Sequence, residues 1–136
     1  MPGLHNYHIL ISHSWDYSNQ YKTIKGWLDD YPYFKWTDYS VPLSHPIDVN
    51  SKNELKRKLK ERISLCSCVI ILSGMYVSYS EWIDYEIDVA VLYNKPIIGI
   101  IPWGQERIPT KVQNCADTLI RWNADSVVRA VRDHAL

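Results

Sequence analysis

Three short runs of branched apolar residues constrain the fold of this chain more than any other feature of its sequence. Each is bounded by polar or turn-forming residues, and they are residues 9–11 (ILI), 68–73 (CVIILS) and 97–101 (IIGII). Short β-branched runs are typical of strands buried on both faces, as in parallel sheets. We therefore predict strands at residues 8–12, 68–73 and 97–101, with 68–73 as the central one.

The segments between these runs show the spacing of amphipathic helices. In residues 16–30, for example, Tyr21, Ile24 and Leu28 recur at helical intervals. Residues 34–41 alternate large apolar and polar side chains, which indicates a less buried strand nearer the sheet edge. The remaining predictions are helices at 53–65, 81–93 and 125–134, a short last strand at 118–122, and loops at 42–51, 74–80 and 102–105.

The regular alternation of strands and helices predicts an α/β fold with a parallel sheet and helices on both of its faces. Five strands in a chain of 136 residues favour a flavodoxin-like, three-layer arrangement with strand order 2-1-3-4-5, as a single domain over residues 1–136. In that order a crevice opens between the carboxyl ends of strands one and three. Residues 13–16 and 74–80 are then expected to face each other there.

Composition and charge exclude several classes of function. The formal net charge is zero, which argues against a general nucleic-acid binder. No apolar run reaches the roughly 20 residues of a membrane span, and the first residues do not resemble a signal peptide. The three cysteines do not form a disulfide framework or a zinc-binding spacing. We expect reduced thiols in a cytoplasmic protein, with Cys68 in the core.

Two polar features of the sequence are candidates for a functional site near the carboxyl ends of the predicted strands. The first strand ends in Ser12-His13-Ser14-Trp15-Asp16, which is either a functional loop or the capped start of the next helix, or both. In the helix at 81–93, the 100° rotation per residue separates Glu86 from the acidic stripe of Glu81, Asp84 and Asp88 and places it beside the core. Glu86 is either a functional acid with a perturbed pKa or a boundary glutamate paired with a lysine.

Several phosphate-binding and hydrolase signatures are absent from the sequence. No GxGxxG, GxxxxGK[ST], GxSxG or HExxH motif occurs. The basic residues at 56–62 are either a phosphate-attracting cluster or, more simply, a solvated helix face.

The sequence resembles the Toll/interleukin-1 receptor (TIR) domains in two segments. YHILISHSWD is similar to their first strand and loop, and SEWIDYEI is similar to their third helix, where a Trp stands four residues before a Glu. FKWTDYSVP and KPIIGIIPWGQERIPTKVQNCAD resemble, more closely, the TIR-like family that includes the signalling subunit of the Thoeris antiphage defence system. His8 and Ile83 depart from residues common in TIR domains, and the first departure leaves animal receptor adaptors a poorer match.

This resemblance implies a site and a reaction. It makes Glu86 the catalytic residue that cleaves NAD, and it makes residues 42–48 the BB loop, through which TIR domains self-associate. NAD is then a substrate, and neither a cofactor nor a metal is implied. The implied substrate-binding residues are Ser12, His13, Ser14, Trp15, Asp16, Tyr39, Ser40 and Trp82.

The resemblance further implies a cyclic ADP-ribose-like second messenger, made during phage infection, that activates a separate effector by diffusion. A non-catalytic TIR-like module that binds a nucleotide or a protein is the alternative. A phosphoacceptor or flavin protein fits less well, because Gly74-Met75-Tyr76 occupies the place where receiver domains carry their acceptor Asp.

Overall fold

The computed structural model describes residues 5–12, 18–40, 49–72, 76–101 and 110–136, with only the backbone for helical residues 18–20, 49–52, 55 and 76–82. Strands and helices alternate along the whole of this part of the chain. In order they are β1 (Asn6–Ile11), α1 (Ser18–Asp30), β2 (Lys35–Asp38), α2 (Val49–Leu65), β3 (Cys68–Leu72), α3 (Tyr76–Leu92), β4 (Ile97–Ile101), α4 (Thr110–Cys115), β5 (Thr118–Arg121) and α5 (Ala124–His134).

The five strands form one parallel sheet in the order β2-β1-β3-β4-β5, which confirms the predicted topology. All five residues of β3 are buried, as expected for the middle strand of a sheet covered on both faces. In β2 and β5, at the two edges, more and less exposed residues alternate instead. The hydrophobic patterns of the sequence therefore correctly placed β3 at the centre of the sheet and β2 nearer its edge.

Helices cover both faces of the sheet. Helix α1 packs beside α5, while α2 packs beside α3 and α3 beside α4. Alternate side chains of β2 lie toward α1, where Trp36 Nε1 donates to Asp29 at 2.8 Å. On the other face, the Tyr85 hydroxyl of α3 donates to the carbonyl of Lys56 in α2 at 2.9 Å. This second face carries the functional acid predicted from the sequence.

The starts of two helices differ from the sequence prediction, and one helix was not predicted. Residues 76–80, predicted as a loop, are the first turn of α3, and α2 begins at residue 49 within the predicted loop 42–51. The segment YVSYS has low intrinsic helix propensity, but packing of the buried face that follows it stabilises the helix. Helix α4 was not predicted, because six residues with one buried side chain, Val112, are too short to show a period.

Two of the three cysteines lie in the hydrophobic core, in β3 and just before it. All three are unpaired, and Cys66 and Cys68 are buried. Burial raises the pKa of the Cys66 thiol to about 11 and raises the pKa of the Cys68 thiol further. Both thiols are therefore protonated at neutral pH and unreactive. Among the described residues, no helix has the length and apolar character needed to cross a membrane.

Gly99 in β4 is a point of close approach between the sheet and α4. A Cβ atom there would lie 2.7 Å from Leu119 Cδ2 and 3.2 Å from Val112 Cγ1. Leu119 is exposed enough to turn away, but Val112 is fully buried. A side chain at this position would therefore push α4 off the sheet.

We expect Gly99→Ala to lower the free energy of unfolding by about 1–2 kcal/mol through overpacking. The matched change Gly26→Ala should raise it by up to about 1 kcal/mol, because Gly26 lies within α1 with no heavy atom in the way of a Cβ. Urea denaturation of both variants measures the difference. Equal effects would show that β4 and α4 are not in close contact at Gly99.

Candidate active site

Glu86 of α3 points into the protein and away from Asp84 and Asp88 of the same helix. It is 2% exposed, whereas the side chains of Asp84 and Asp88 are 35% and 66% exposed. Its buried neighbours on the helix include Ile83, Ile87 and Ala90. The predicted separation of Glu86 from Asp84 and Asp88 is therefore confirmed, and its carboxyl group lies inside the fold. The side chain of Glu81, the third acid of the predicted stripe, is not described.

Within the described residues, one hydroxyl group serves the Glu86 carboxyl. Ser12, which is also 2% exposed, donates from Oγ to Glu86 Oε1 at 3.2 Å. The second oxygen, Oε2, is buried and has no hydrogen-bond partner in the described part of the chain. No lysine or arginine is paired with Glu86 in any ion pair of the described residues. The described residues therefore do not show Glu86 as a boundary glutamate paired with lysine.

Burial dominates the electrostatics of this carboxyl group. Loss of hydration raises the pKa of Glu86 to about 8, and the hydrogen bond from Ser12 opposes the rise but is the smaller effect. At neutral pH the free protein therefore holds Glu86 mainly in its protonated form. A positive charge brought next to Oε2 would favour the ionised form.

The carboxyl end of β1 places Ser12 beside α3. Ser12 N donates to Ile70 O of β3 at 2.8 Å, so the parallel ladder continues to the last described residue of this segment. Ser12 and Glu86 therefore meet at the carboxyl ends of β1 and β3. This is the switch point of the 2-1-3-4-5 order, where ligands bind in open α/β sheets.

Two further predicted substrate-binding residues follow β2. Ser40 Oγ accepts a hydrogen bond from Ile11 N at 2.8 Å, so its side chain fixes β1 one residue before Ser12. The Tyr39 ring stacks on His8 at 4.7 Å, and the Arg62 guanidinium of α2 lies 5.5 Å from the Tyr39 ring centre. Sequence reasoning missed the contacts of Tyr39 with His8 and Arg62, which no local pattern signals.

The other predicted site residues are not described. His13, Ser14, Trp15, Asp16 and the loop 42–48 lie outside the described residues. The expected meeting of residues 13–16 with 74–80 is therefore not described, since residues 76–80 are described by their backbone only. Trp82 lies in α3, where the structure describes its backbone only. In the described part of the chain, no group of His, Cys, Asp and Glu side chains is placed to hold a metal ion.

Comparison with known families decides the classification. The family model of the Thoeris protein ThsB, TIR-like domain, matches residues 10–107. The chain belongs to this family. The match to the ThsB TIR-like family runs from β1 past the end of β4 and includes both Ser12 and Glu86. No curated protein sequence gives a significant match.

Solved structures share the fold of this ThsB-family domain at low sequence identity. One is the Clostridium botulinum CMP N-glycosidase BcmB, with a TM-score of 0.57 and 12% identity over 92% of this chain and 98% of that one. Another is a 3-dehydroquinate dehydratase-like protein from Bifidobacterium longum, with a TM-score of 0.51 and 10% identity over 95% and 94%. These likenesses agree with the flavodoxin-like architecture.

The acidic stripe of α3 has a structural partner that the sequence did not predict. Lys111 Nζ of α4 lies 2.7 Å from Asp88 Oδ1 and 3.8 Å from Asp84 Oδ1. These ion pairs join α4 to the outer side of α3. They leave Glu86 as the acid of α3 that the described structure turns inward, and they make Asp88 a suitable control for Glu86.

We expect the parent protein to lose stability relative to Glu86→Gln as the pH rises. The folded state keeps the Glu86 proton up to a pKa of about 8, while the unfolded chain releases it near the ordinary glutamate pKa of 4.5. Between these values the unfolded state binds fewer protons, so the free energy of unfolding falls with pH, by at most about 1.4 kcal/mol per pH unit. Below 4.5 and above 8 this contribution is constant.

Urea denaturation of the parent, Glu86→Gln and Asp88→Asn at pH 5, 6.5 and 8.5 measures this dependence. The stability difference between Glu86→Gln and the parent should grow with pH, while that of Asp88→Asn should not. A difference that stays constant for Glu86→Gln would mean that the Glu86 carboxyl is hydrated.

Proposed function

We propose that this chain is an NAD-consuming TIR domain in which Glu86 promotes cleavage of the bond between nicotinamide and ribose. The observation that carries the proposal is the buried carboxyl of Glu86 at the switch point, with Oε2 lacking a partner among the described residues. A buried, unpaired carboxyl oxygen is costly to the fold, which supports a functional role. The family membership and the implied role of the Trp–Glu helix support the same assignment.

The chemistry suits a single carboxylate. Nicotinamide is bound to ribose as a pyridinium cation, so it leaves as a neutral molecule with the bonding electron pair and needs no proton. Positive charge then develops on the ribose as an oxocarbenium-like transition state. An ionised Glu86 placed near the ribose stabilises that charge in a site from which water is excluded.

The ionisation of Glu86 fits a cationic substrate. Because the pKa of Glu86 is raised to about 8 by burial, the free site holds a neutral acid. Binding of the positively charged nicotinamide riboside portion favours loss of that proton. The carboxylate thus forms when the substrate arrives, and an empty site does not hold a buried unpaired charge.

We further propose that the product is a cyclic ADP-ribose-like messenger. Attack of water on the ribose cation would give ADP-ribose. In a site that excludes water, the adenine end of the same molecule attacks the ribose cation instead and gives the cyclic product. The messenger would act in antiphage defence through a diffusible link to an effector, and residues 42–48 would mediate self-association on activation. The fold supports nucleotide chemistry of this type, since one solved protein that shares it is named a CMP N-glycosidase.

A non-catalytic module that binds a nucleotide or a protein is the second candidate. The same burial favours it, because a carboxyl that is 2% exposed and mainly protonated offers a substrate little contact in the free protein. In this case nucleotide binding would be measurable by calorimetry while nicotinamide release stayed at background at every protein concentration.

Nicotinamide release from NAD at high protein concentration tests the assignment of Glu86. We expect Glu86→Gln, which keeps the size of the side chain but removes its charge, to lower kcat by about a hundredfold to a thousandfold. Asp88→Asn removes a carboxylate two residues away on the same helix, where it is exposed, and should retain parental activity. Equal release by the parent and Glu86→Gln would reject the catalytic assignment.

The pH dependence of the same reaction gives a second prediction. Since the ionised carboxyl is the active form, kcat/KM should rise with pH and level off above about 8, the pKa of Glu86 in the free protein. The kcat profile should have its midpoint at lower pH, because bound NAD favours ionisation. Stopped assays of nicotinamide from pH 5.5 to 9.5 measure both, and coincident midpoints would contradict substrate-coupled ionisation.

A further inference from the structure

The backbone that carries the Ser12 side chain is fixed from both neighbouring strands. On the β3 side, Ser12 N donates to Ile70 O at 2.8 Å. On the β2 side, Ile11 N donates to Ser40 Oγ at 2.8 Å. Consecutive amides at the end of β1 are thus hydrogen-bonded on the β2 side and on the β3 side. These bonds fix the backbone from which the Ser12 side chain extends toward α3.

Ser40 is itself held in place by a chain of hydrogen bonds. Its amide donates to Asp38 Oδ1 at 2.8 Å, and the other carboxylate oxygen of Asp38 accepts from the hydroxyl of Tyr21 in α1. This chain runs from α1 through the end of β2 to β1, and Ser12 continues it to α3. It connects helices on opposite faces of the sheet through the switch point.

We propose that Ser12 is a positioning residue for the Glu86 carboxyl, with Ser40 as its support, and that this arrangement leaves Oε2 as the oxygen that meets the substrate. The proposal deepens the proposed function and rests on it for the identity of that substrate. It also changes the role expected from the sequence, in which Ser12 and Ser40 were substrate-binding residues. Both side chains instead hold other parts of the protein.

The physical argument is that a hydroxyl has one proton to donate. The Ser12 proton goes to Glu86 Oε1, so the two carboxyl oxygens are no longer equivalent and rotation of the group is restrained. A hydrogen bond to the carboxylate also favours its ionised form, against the effect of burial. Without it, the carboxyl would have no donor among the described residues and would keep its proton to higher pH.

Carbon-13 NMR of protein labelled at the glutamate carboxyl carbons reports the ionisation of Glu86, whose signal is assigned by its loss in Glu86→Gln. We expect Ser12→Ala to move the ionisation midpoint to higher pH, and Ser12→Thr, which restores a hydroxyl, to bring it back toward the parent. In nicotinamide release near pH 7.5, Ser12→Ala should lower kcat roughly tenfold with little change in KM. Ser12→Cys, with a weak donor of similar size, replaces Ser12→Ala if that variant does not fold.

Ser67→Ala is the matched control, because Ser67 is a buried serine whose Oγ accepts a hydrogen bond from His8 N, within β1 and away from Ser12, at 3.1 Å. It should lower stability without moving the Glu86 midpoint. An unchanged midpoint in folded Ser12→Ala or Ser12→Cys overturns the positioning role, whatever happens to activity. A shifted midpoint in a protein whose parent releases no nicotinamide would instead support the positioning and reject the proposed reaction.

Discussion

The parallel pairing of β1 with β3 is the constraint on which the candidate site depends. The carboxyl ends of both strands lie on the same side of the sheet, and the hydrogen bond from Ser12 N to Ile70 O extends their ladder to that side. The chain after β3 turns into α3 and packs back over the same strands, as the right-handed crossover of a parallel sheet requires. Ser12 and Glu86, 74 residues apart in the chain, meet as a result.

The site lowers the stability of the fold. A carboxyl group that is 2% exposed loses its hydration, and a single hydroxyl returns only part of that loss. The surrounding structure offsets this cost, since β3 is buried along its whole length and the core extends on both faces of the sheet. Functional sites commonly break the rules that make a fold stable, and Glu86 is the clearest such case among the described residues of this domain.

Polar contacts stabilise the surroundings of the site on two sides. On the β2 side, Tyr21, Asp38 and Ser40 fix the end of β1. On the α4 side, Lys111 pairs with Asp84 and Asp88 of α3. The pKa of Glu86 is raised by its own burial, and the hydrogen bond from Ser12 opposes that rise.

Much of the fold followed from local patterns. The apolar runs identified the buried strands because a strand covered on both faces needs no polar positions, and the alternation in residues 34–41 correctly indicated an edge strand. Helix α4 and the first turn of α3 escaped prediction because one is too short to show a period and the other has residues of low helix propensity. Both elements are stabilised by packing against residues that lie elsewhere in the chain.

The sequence by itself determined which segments form the buried strands and the side of α3 on which Glu86 lies, since these follow from the apolar runs and from the helical period of 3.6 residues. The strand order was expected from the number of strands and their alternation with helices, by likeness to flavodoxin-like folds. Tertiary structure alone decided which group meets the Glu86 carboxyl. Among the described residues that group is the Ser12 hydroxyl and not a lysine, and the pKa of Glu86 is raised as a result of its burial. Those outcomes depend on distances between residues far apart in the chain, and on the hydration lost when they come together, and local sequence encodes neither.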